Sequence, residues 1–230
     1  MDIDTQNLNH KNDSWYYETL PRVTKVALDF FSDEKWLKES EWYLAGGTAL
    51  ALQCGNRVSL DLDFFTRSSS FETNELLNNL PRPPVWNTTL ERKNTLYGEF
   101  KKAKVSFIVY PFFVPEHDFI LHGSVKVLNK RDVAVMKIIA ISQRGKKRDF
   151  FDLYWCVKNI DSLETLIKKL KKQYPSVAHD YNHIIKSLMY FDDAEGDPAP
   201  EIFFKATWAE VKKYFQKEVP IIAKKLIGLS

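Results

Sequence analysis

Leu44-Ala45-Gly46-Gly47-Thr48-Ala49-Leu50-Ala51-Leu52-Gln53, followed by Asn56-Arg57-Val58-Ser59-Leu60-Asp61-Leu62-Asp63-Phe64-Phe65, decides how this chain is read. Trp42 to Ala45 is a short apolar run of the kind a buried strand uses. Gly46-Gly47 ends it, and Thr48 through Gln53 reads as a helix of Ala and Leu. Val58 to Phe65 reads as the next strand, with Leu60, Leu62 and Phe64 alternating against Ser59, Asp61 and Asp63.

Residues two apart in a strand share a face, so Asp61 and Asp63 stand side by side. Two unpaired carboxylates at that spacing repel. A cation relieves the repulsion, and Mg²⁺ commonly takes one or two carboxylates together with substrate phosphates. Gly46-Gly47-Thr48 lies where a strand hands over to a helix, so its backbone N–H groups and the Thr48 hydroxyl suit a phosphate. Each piece alone has a plainer reading: an exposed acidic pair on a sheet face, and a tight strand-to-helix turn. The two together, one short helix apart, are far more specific.

Working outward, Met1 to Ser14 is polar, lacks an apolar signal-peptide core and reads as a frayed tail. Residues 15–40 place Val23, Val26, Ala27, Phe30 and Phe31 at helical spacing. Ser68 to Leu80 reads as a helix stopped by Pro81-Arg82-Pro83-Pro84. Thr88 to Phe100 and Ala103 to Pro111 read as a strand pair with a turn at Tyr97-Gly98-Glu99, and Val125 to Leu128 as a further short strand.

Beyond that point the chain turns helical. Asn129 or Asp132 caps a helix to about Arg144, where Gly145 stops it, and a second helix covers Asp149 to Lys158. Asp161 with Glu164, and Thr207 with Glu210, form capping boxes for later helices, the last interrupted near Pro220. Val177 to Tyr190 reads as a helix, and Phe191 to Pro200 as an acidic loop. The division falls near residue 128: mixed α and β over 1–128, helical over 129–230.

Composition narrows the class. With 44% apolar residues and 16 Phe, 10 Tyr and 6 Trp in 230 residues, the chain can bury a core and is not disordered. A net charge of +3 excludes a bulk polyanion binder, although Lys101-Lys102-Lys104, Arg144-Lys146-Lys147-Arg148 and Lys168-Lys169-Lys171-Lys172 are local basic clusters. Cys54 and Cys156 lack zinc spacing, and so do His117, His122, His179 and His183, of which only 179 and 183 stand i, i+4. No apolar run is long enough to span a bilayer, so a cytoplasmic protein without membrane contact is expected.

The paired motif, a Gly-Gly-Thr helix start and then a strand bearing Asp-x-Asp, resembles the nucleotidyltransferase superfamily. Its wording is similar to the AbiEii/AbiGii toxin family, with Asn56-Arg57 where that family usually has His-Arg. Asp132 to Ala140, Arg144 to Tyr154, Asp192 to Pro200 and Trp208 to Lys212 continue the resemblance. It implies an α/β (α+β) nucleotidyltransferase-like mixed sheet followed by a helical C-terminal subdomain. It further implies transfer of NMP from an NTP, with Mg²⁺ or Mn²⁺, to an RNA acceptor such as tRNA, by a toxin countered by a cognate antitoxin.

On that basis Asp61 and Asp63 are the metal ligands, and Gly46, Gly47, Thr48, Arg57, Ser59 and Lys137 bind the nucleotide. Lys137 lies in an otherwise apolar helix and must reach water or an anion. Asp149 and Asp152 share a helix face, and one of them, Asp149 first, is expected to enter the cleft as a general base. Ser106 stands where many nucleotidyltransferases carry a third carboxylate, so either Asp149 or Asp152 takes the base role, or a metal-bound alkoxide needs no protein base, or activity is lost. Two rivals remain at this level: an inactive relative kept for binding, and a glycosyltransferase using Asp-x-Asp.

Overall fold

A computed structural model of the chain describes residues 15–177 and 180–227. The tail to Ser14 and His179 lie outside the described residues. After a single 3₁₀ turn, Tyr17–Thr19, come α1 (Arg22–Asp33), α2 (Lys35–Glu39), β1 (Tyr43–Ala45), α3 (Gly46–Cys54), β2 (Leu62–Thr66) and α4 (Thr73–Asn78). Five strands follow: β3 (Trp86–Arg92), β4 (Thr95–Phe100), β5 (Ala103–Val109), β6 (Ile120–His122) and β7 (Val125–Val127). The remainder is helical: α5 (Lys130–Arg144), α6 (Lys147–Asn159), α7 (Leu163–Gln173), α8 (Tyr181–Ser187), α9 (Asp192–Glu195) and α10 (Trp208–Ile227).

The strands form one seven-stranded sheet in the order β3-β4-β5-β2-β1-β7-β6. It is mixed: β2 pairs parallel with β5 and β1 with β7, and the other neighbours are antiparallel. Alternation gives the sheet two unlike faces. Phe64, Phe107 and Phe100 point one way and pack with Phe31 of α1, the Phe64 and Phe107 rings stacked at 5.1 Å. Asp63, Ser106 and Tyr97, which are register partners across β2, β5 and β4, point the other way. This is the mixed α/β architecture expected, with the strands ending at Val127 and helices from Lys130 on.

Several local expectations are corrected. Strand β2 starts at Leu62 and not at Val58, because the preceding backbone is bonded elsewhere: Val58 N–H to the Glu201 carbonyl and Ser59 N–H to the Thr19 carbonyl, each at 2.9 Å, and the Leu60 carbonyl to the Thr24 hydroxyl at 2.6 Å. Leu60 therefore stays exposed instead of joining the core. Tyr97-Gly98-Glu99 is not a turn but part of β4. The chain reverses at Asn94 and at Lys101-Lys102, all with positive φ, and Gly98 lacks a Cβ because the Trp86 indole lies over it.

The helix expected over Ser68 to Leu80 shrinks to α4, since Ser68 is held by Thr66 and Glu41 side chains. Ser162, not Asp161, caps α7, accepting from the Thr165 N–H at 3.2 Å. Asn129 caps α5, Gly145 in the left-handed region ends it, and the Thr207–Glu210 box caps α10, which continues through Pro220.

Candidate active site

The polar sheet face forms the floor of a cleft of about 730 Å³ roofed by α5 and the start of α6. Asp61, Asp63, Ser106 and Glu99 line the floor, and Lys137, Arg144 and Arg148 the opposite side. Gly46, Gly47, Arg57 and Ser59 close the end beneath α3, while Phe65, Tyr110, Tyr174 and Met136 give another part an aromatic and apolar wall.

Gly46 takes φ +69°, and a Cβ there would stand 3.2 Å from Asp63 Oδ2. At Gly47 a Cβ would meet Arg57 Nη2 at 2.3 Å and Ser59 Oγ at 3.1 Å. The Gly-Gly turn thus lets the carboxylate floor and the Arg57 guanidinium come against the start of α3, a close approach that the positive φ of Gly46 and the missing Cβ of Gly47 favour. Thr48 is buried and does not line the cleft. Its hydroxyl bonds to Ser59 Oγ at 2.9 Å and to the Asp61 carbonyl, tying α3 to the segment that carries the carboxylates.

The two floor carboxylates are poorly compensated. Ser106 Oγ donates to Asp63 Oδ1 at 2.6 Å. Among the described residues Asp63 Oδ2 and both Asp61 side-chain oxygens accept no hydrogen bond, and the nearest cation to Asp61 is Arg148 Nη1 at 3.9 Å. Burial, with the neighbouring Asp61 charge adding to it, pushes the Asp63 carboxyl above its ordinary range despite the Ser106 bond. Two oxygen-bearing groups with unsatisfied charge, side by side on a cleft floor, fit a hard divalent cation.

The cation row is built differently. Lys137 Nζ reaches Asp149 Oδ1 at 2.9 Å and Asp152 Oδ2 at 2.7 Å. Arg57 bonds Asp152 through Nε at 2.7 Å and Nη2 at 2.8 Å, Asn56 adds a third donor at 2.8 Å, and Arg144 Nε reaches Asp149 at 2.8 Å. Burial alone would raise both carboxyls. The Arg57 and Lys137 charges reverse this at Asp152, and Lys137 with Arg144 at Asp149, so both are held below the ordinary carboxylate range.

Asp149 and Asp152 are fully buried behind the cations and do not line the cleft, contrary to the expectation that one would stand beside Asp61 and Asp63. Lys137 and Arg144 hold Asp149 at 2.9 and 2.8 Å, and Arg57 and Lys137 hold Asp152 at 2.7 Å, so both carboxylates are taken up by these cations. Asp149 does not cap α6 either, because Lys146 holds the N-cap position. Nothing in the local sequence singles out Arg144 or Arg148 beyond their membership of one basic cluster. The signal available is their spacing around Gly145, which lets the end of α5 and the start of α6 present both to one cleft.

Elsewhere, Glu116, His117 and Asp132 lie close enough to suggest a metal site. Asp132 is nevertheless saturated: it accepts from the Glu116 and His117 N–H groups, from His117 Nδ1 at 2.8 Å and from Gln173 Nε2, and Glu116 is paired with Lys172. This arrangement staples the 114–119 loop to α5 and α7.

A family model described as the nucleotidyl transferase AbiEii toxin of type IV toxin–antitoxin systems matches residues 33–84 and 105–225. The chain belongs to the AbiEii nucleotidyl transferase toxin family. An uncharacterized protein of Aquifex aeolicus is 35% identical over 188 residues, covering 78% of this chain and 87% of that protein. Two solved structures share the fold. JHP933 of Helicobacter pylori has a TM-score of 0.51 at 18% identity, over 91% of this chain and 95% of its own. MenT4, a nucleotidyltransferase toxin of Mycobacterium tuberculosis, has a TM-score of 0.50 at 16% identity, over 86% of each chain. This AbiEii chain is thus a nucleotidyltransferase by family, with both Asp61–Asp63 and the cation row inside the matched segments. Among the described residues, no helix is long and apolar enough to cross a membrane.

Proposed function

We propose that the chain transfers a nucleoside monophosphate from an NTP to an acceptor hydroxyl on RNA, acting as a toxin that a cognate antitoxin restrains. One observation carries this reading: the under-compensated Asp61–Asp63 pair faces Lys137, Arg144 and Arg148 across one cleft. Carboxylates for a metal and cations for a triphosphate are the two things a phosphoryl-transfer site needs in close quarters.

Asp61 and Asp63 would hold Mg²⁺ or Mn²⁺, which when bound supplies charge neutralisation at the transferred phosphate. Arg57, Lys137, Arg144 and Arg148, with the Gly46-Gly47 turn and Ser59, bind the triphosphate. The acceptor oxygen forms a bond to the α-phosphorus, the bond to the β-phosphate oxygen breaks, and pyrophosphate leaves with that electron pair. Asp149 and Asp152 act as positioning residues that fix Lys137, Arg57 and Arg144. In this reading residues 1–128 form the nucleotidyltransferase-like domain, and residues 129–230 a helical domain that contributes Lys137, Arg144 and Arg148. A DxD glycosyltransferase does not fit a chain of this family.

The test is incubation of the purified chain with each α-³²P-labelled NTP, total bacterial RNA and Mg²⁺ or Mn²⁺. Label should enter RNA only with a divalent cation, and Asp63→Asn should abolish it. No label from any NTP, or equal labelling by Asp63→Asn, would sink the proposal. Induced expression should arrest bacterial growth for the wild type and not for Asp63→Asn.

A further inference from the structure

Ser106 leaves the carboxylate floor one group short. Ser106 is the register partner of Asp63 in parallel strands, so the place next to Asp63 is filled by a hydroxyl that donates to it. A serine hydroxyl does not accept a proton at neutral pH without a base of its own. Asp149 and Asp152 are locked in ion pairs behind the cations. The proton released when the acceptor oxygen attacks still needs a destination.

One further carboxylate lies on the cleft floor. Glu99 is on β4 and lines the cleft with Asp61 and Asp63. Lys104 faces Glu99 across β4 and β5, and it precedes Val105, the partner of Leu62 in β2, by one residue. Glu99 therefore lies one residue beyond the Leu62–Val105–Gly98 row, at the end of the sheet where Asp61 leads into β2. At roughly 4.8 Å per strand β4 runs about 10 Å from β2, and Asp63 of β2 and Glu99 of β4 line the same cleft. The Glu99 side chain is half-buried and, among the described residues, has neither a hydrogen bond nor an ion pair. The Lys104 side chain between the two is exposed and equally unpartnered among the described residues. The next strand has a register shift between Thr88 and Leu90, and Thr89 and Leu90 also line the cleft.

We propose that Glu99 is the general base of the transfer: its carboxylate takes the proton of the acceptor hydroxyl, whose oxygen lone pair forms the new bond to the α-phosphorus as pyrophosphate leaves. The acceptor then enters over β3 and β4, opposite the triphosphate, with Lys104 meeting its backbone phosphate. The inference rests on the nucleotidyl-transfer reading above and adds to it the residue that moves the proton.

Glu99→Gln keeps the shape and removes the basicity, and among the described residues Glu99 has no hydrogen bond or ion pair whose loss would destabilise the chain. The experiment measures label transfer from α-³²P-NTP to total bacterial RNA at saturating nucleotide, binding of Mn²⁺-ATP by calorimetry, and melting temperature. Glu99→Gln should bind Mn²⁺-ATP within about twofold of wild type and melt at the same temperature. Its kcat should fall by about 10²–10⁴-fold, the usual size of a general-base contribution, with little change in the RNA KM. A variant with wild-type kcat overturns the assignment, and so does one that only raises the RNA KM, since Glu99 would then act in acceptor binding alone. A wild-type protein that binds Mn²⁺-ATP and labels nothing overturns the transfer reading itself, a result distinct from an active Glu99→Gln.

Discussion

Asp63 and Ser106 are register partners in parallel strands, and the serine hydroxyl donates to the Asp63 carboxylate at 2.6 Å. That single donor does not offset burial and the adjacent Asp61 charge, so the Asp63 carboxyl sits above its ordinary range. An ionised group in that state reduces stability until a cation arrives.

Asp63→Asn should therefore hold or raise the melting temperature of the metal-free protein at neutral pH. The sign follows from linkage. A folded-state pKa above the unfolded value makes ionisation unfavourable for folding above the unfolded pKa, and the effect vanishes in acid, where both forms are protonated. Melting scans with and without Mg²⁺ check it: the wild type should gain stability with the ion, and the variant should not. A variant that melts well below metal-free wild type would show that the carboxylate is a structural anchor.

Asp152→Asn should behave in the opposite way. It removes the charge that Arg57 and Lys137 share in a fully buried position. Breaking a buried pair by removing one partner costs about 3–5 kcal/mol. In a chain of this size that is a fall in melting temperature of about 6–20 °C. Nucleotide binding should weaken too, because both cations lose their fixed place. A stable variant with normal nucleotide affinity would mean that Asn56, a neutral amide in place of the carboxylate, and water suffice to position Arg57.

The pair also sets acid sensitivity. Asp149 and Asp152 are both held below the ordinary carboxylate range by their cations. A depressed folded pKa contributes stability that is fully present above the unfolded value, roughly 4, and is lost as pH falls through the folded value. Denaturant midpoints should accordingly drop below about pH 4, and the drop should be smaller in Asp152→Asn. An unchanged slope in the variant would place the acid-labile charge elsewhere.

The glycine turn, the acidic pair and the apolar alternation of β2 are legible in the sequence because each is local. Asp61 and Asp63 both line the cleft, as two-residue periodicity predicts, although Asp61 lies just before the regular strand. The position of Asp149 and Asp152 is not legible, because helix periodicity gives their shared face and not what that face meets. Here it meets Lys137 of α5 and Arg57, which lies 95 residues before Asp152. Glu99 is hidden for a related reason: Tyr97-Gly98-Glu99 looks like a turn, and only the Trp86 ring over Gly98 explains a glycine inside a strand. The late start of regular pairing at Leu62 depends on Thr19, Thr24 and Glu201, partners no local pattern reveals.

Gly47→Ala tests the close approach on which the cleft depends. A Cβ at this position would fall 2.3 Å from Arg57 Nη2 and 3.1 Å from Ser59 Oγ. An arginine end is usually flexible enough to move aside. This one is clamped by two hydrogen bonds to Asp152 and by Nη1 to the Val58 carbonyl at 2.8 Å. The added methyl must either break those bonds or push α3 away from the floor, and overpacking of this kind costs about 1–3 kcal/mol. We expect a melting temperature lower by about 2–12 °C and Mn²⁺-ATP affinity reduced by about tenfold or more, since Arg57 and the helix start are both displaced. Arg57→Lys, with Gly47 intact, isolates the loss of the bidentate hold on Asp152, which a single ammonium cannot reproduce. If Gly47→Ala melts and binds nucleotide as the wild type does, Arg57 has room to move and the Gly-Gly turn is not required for the site.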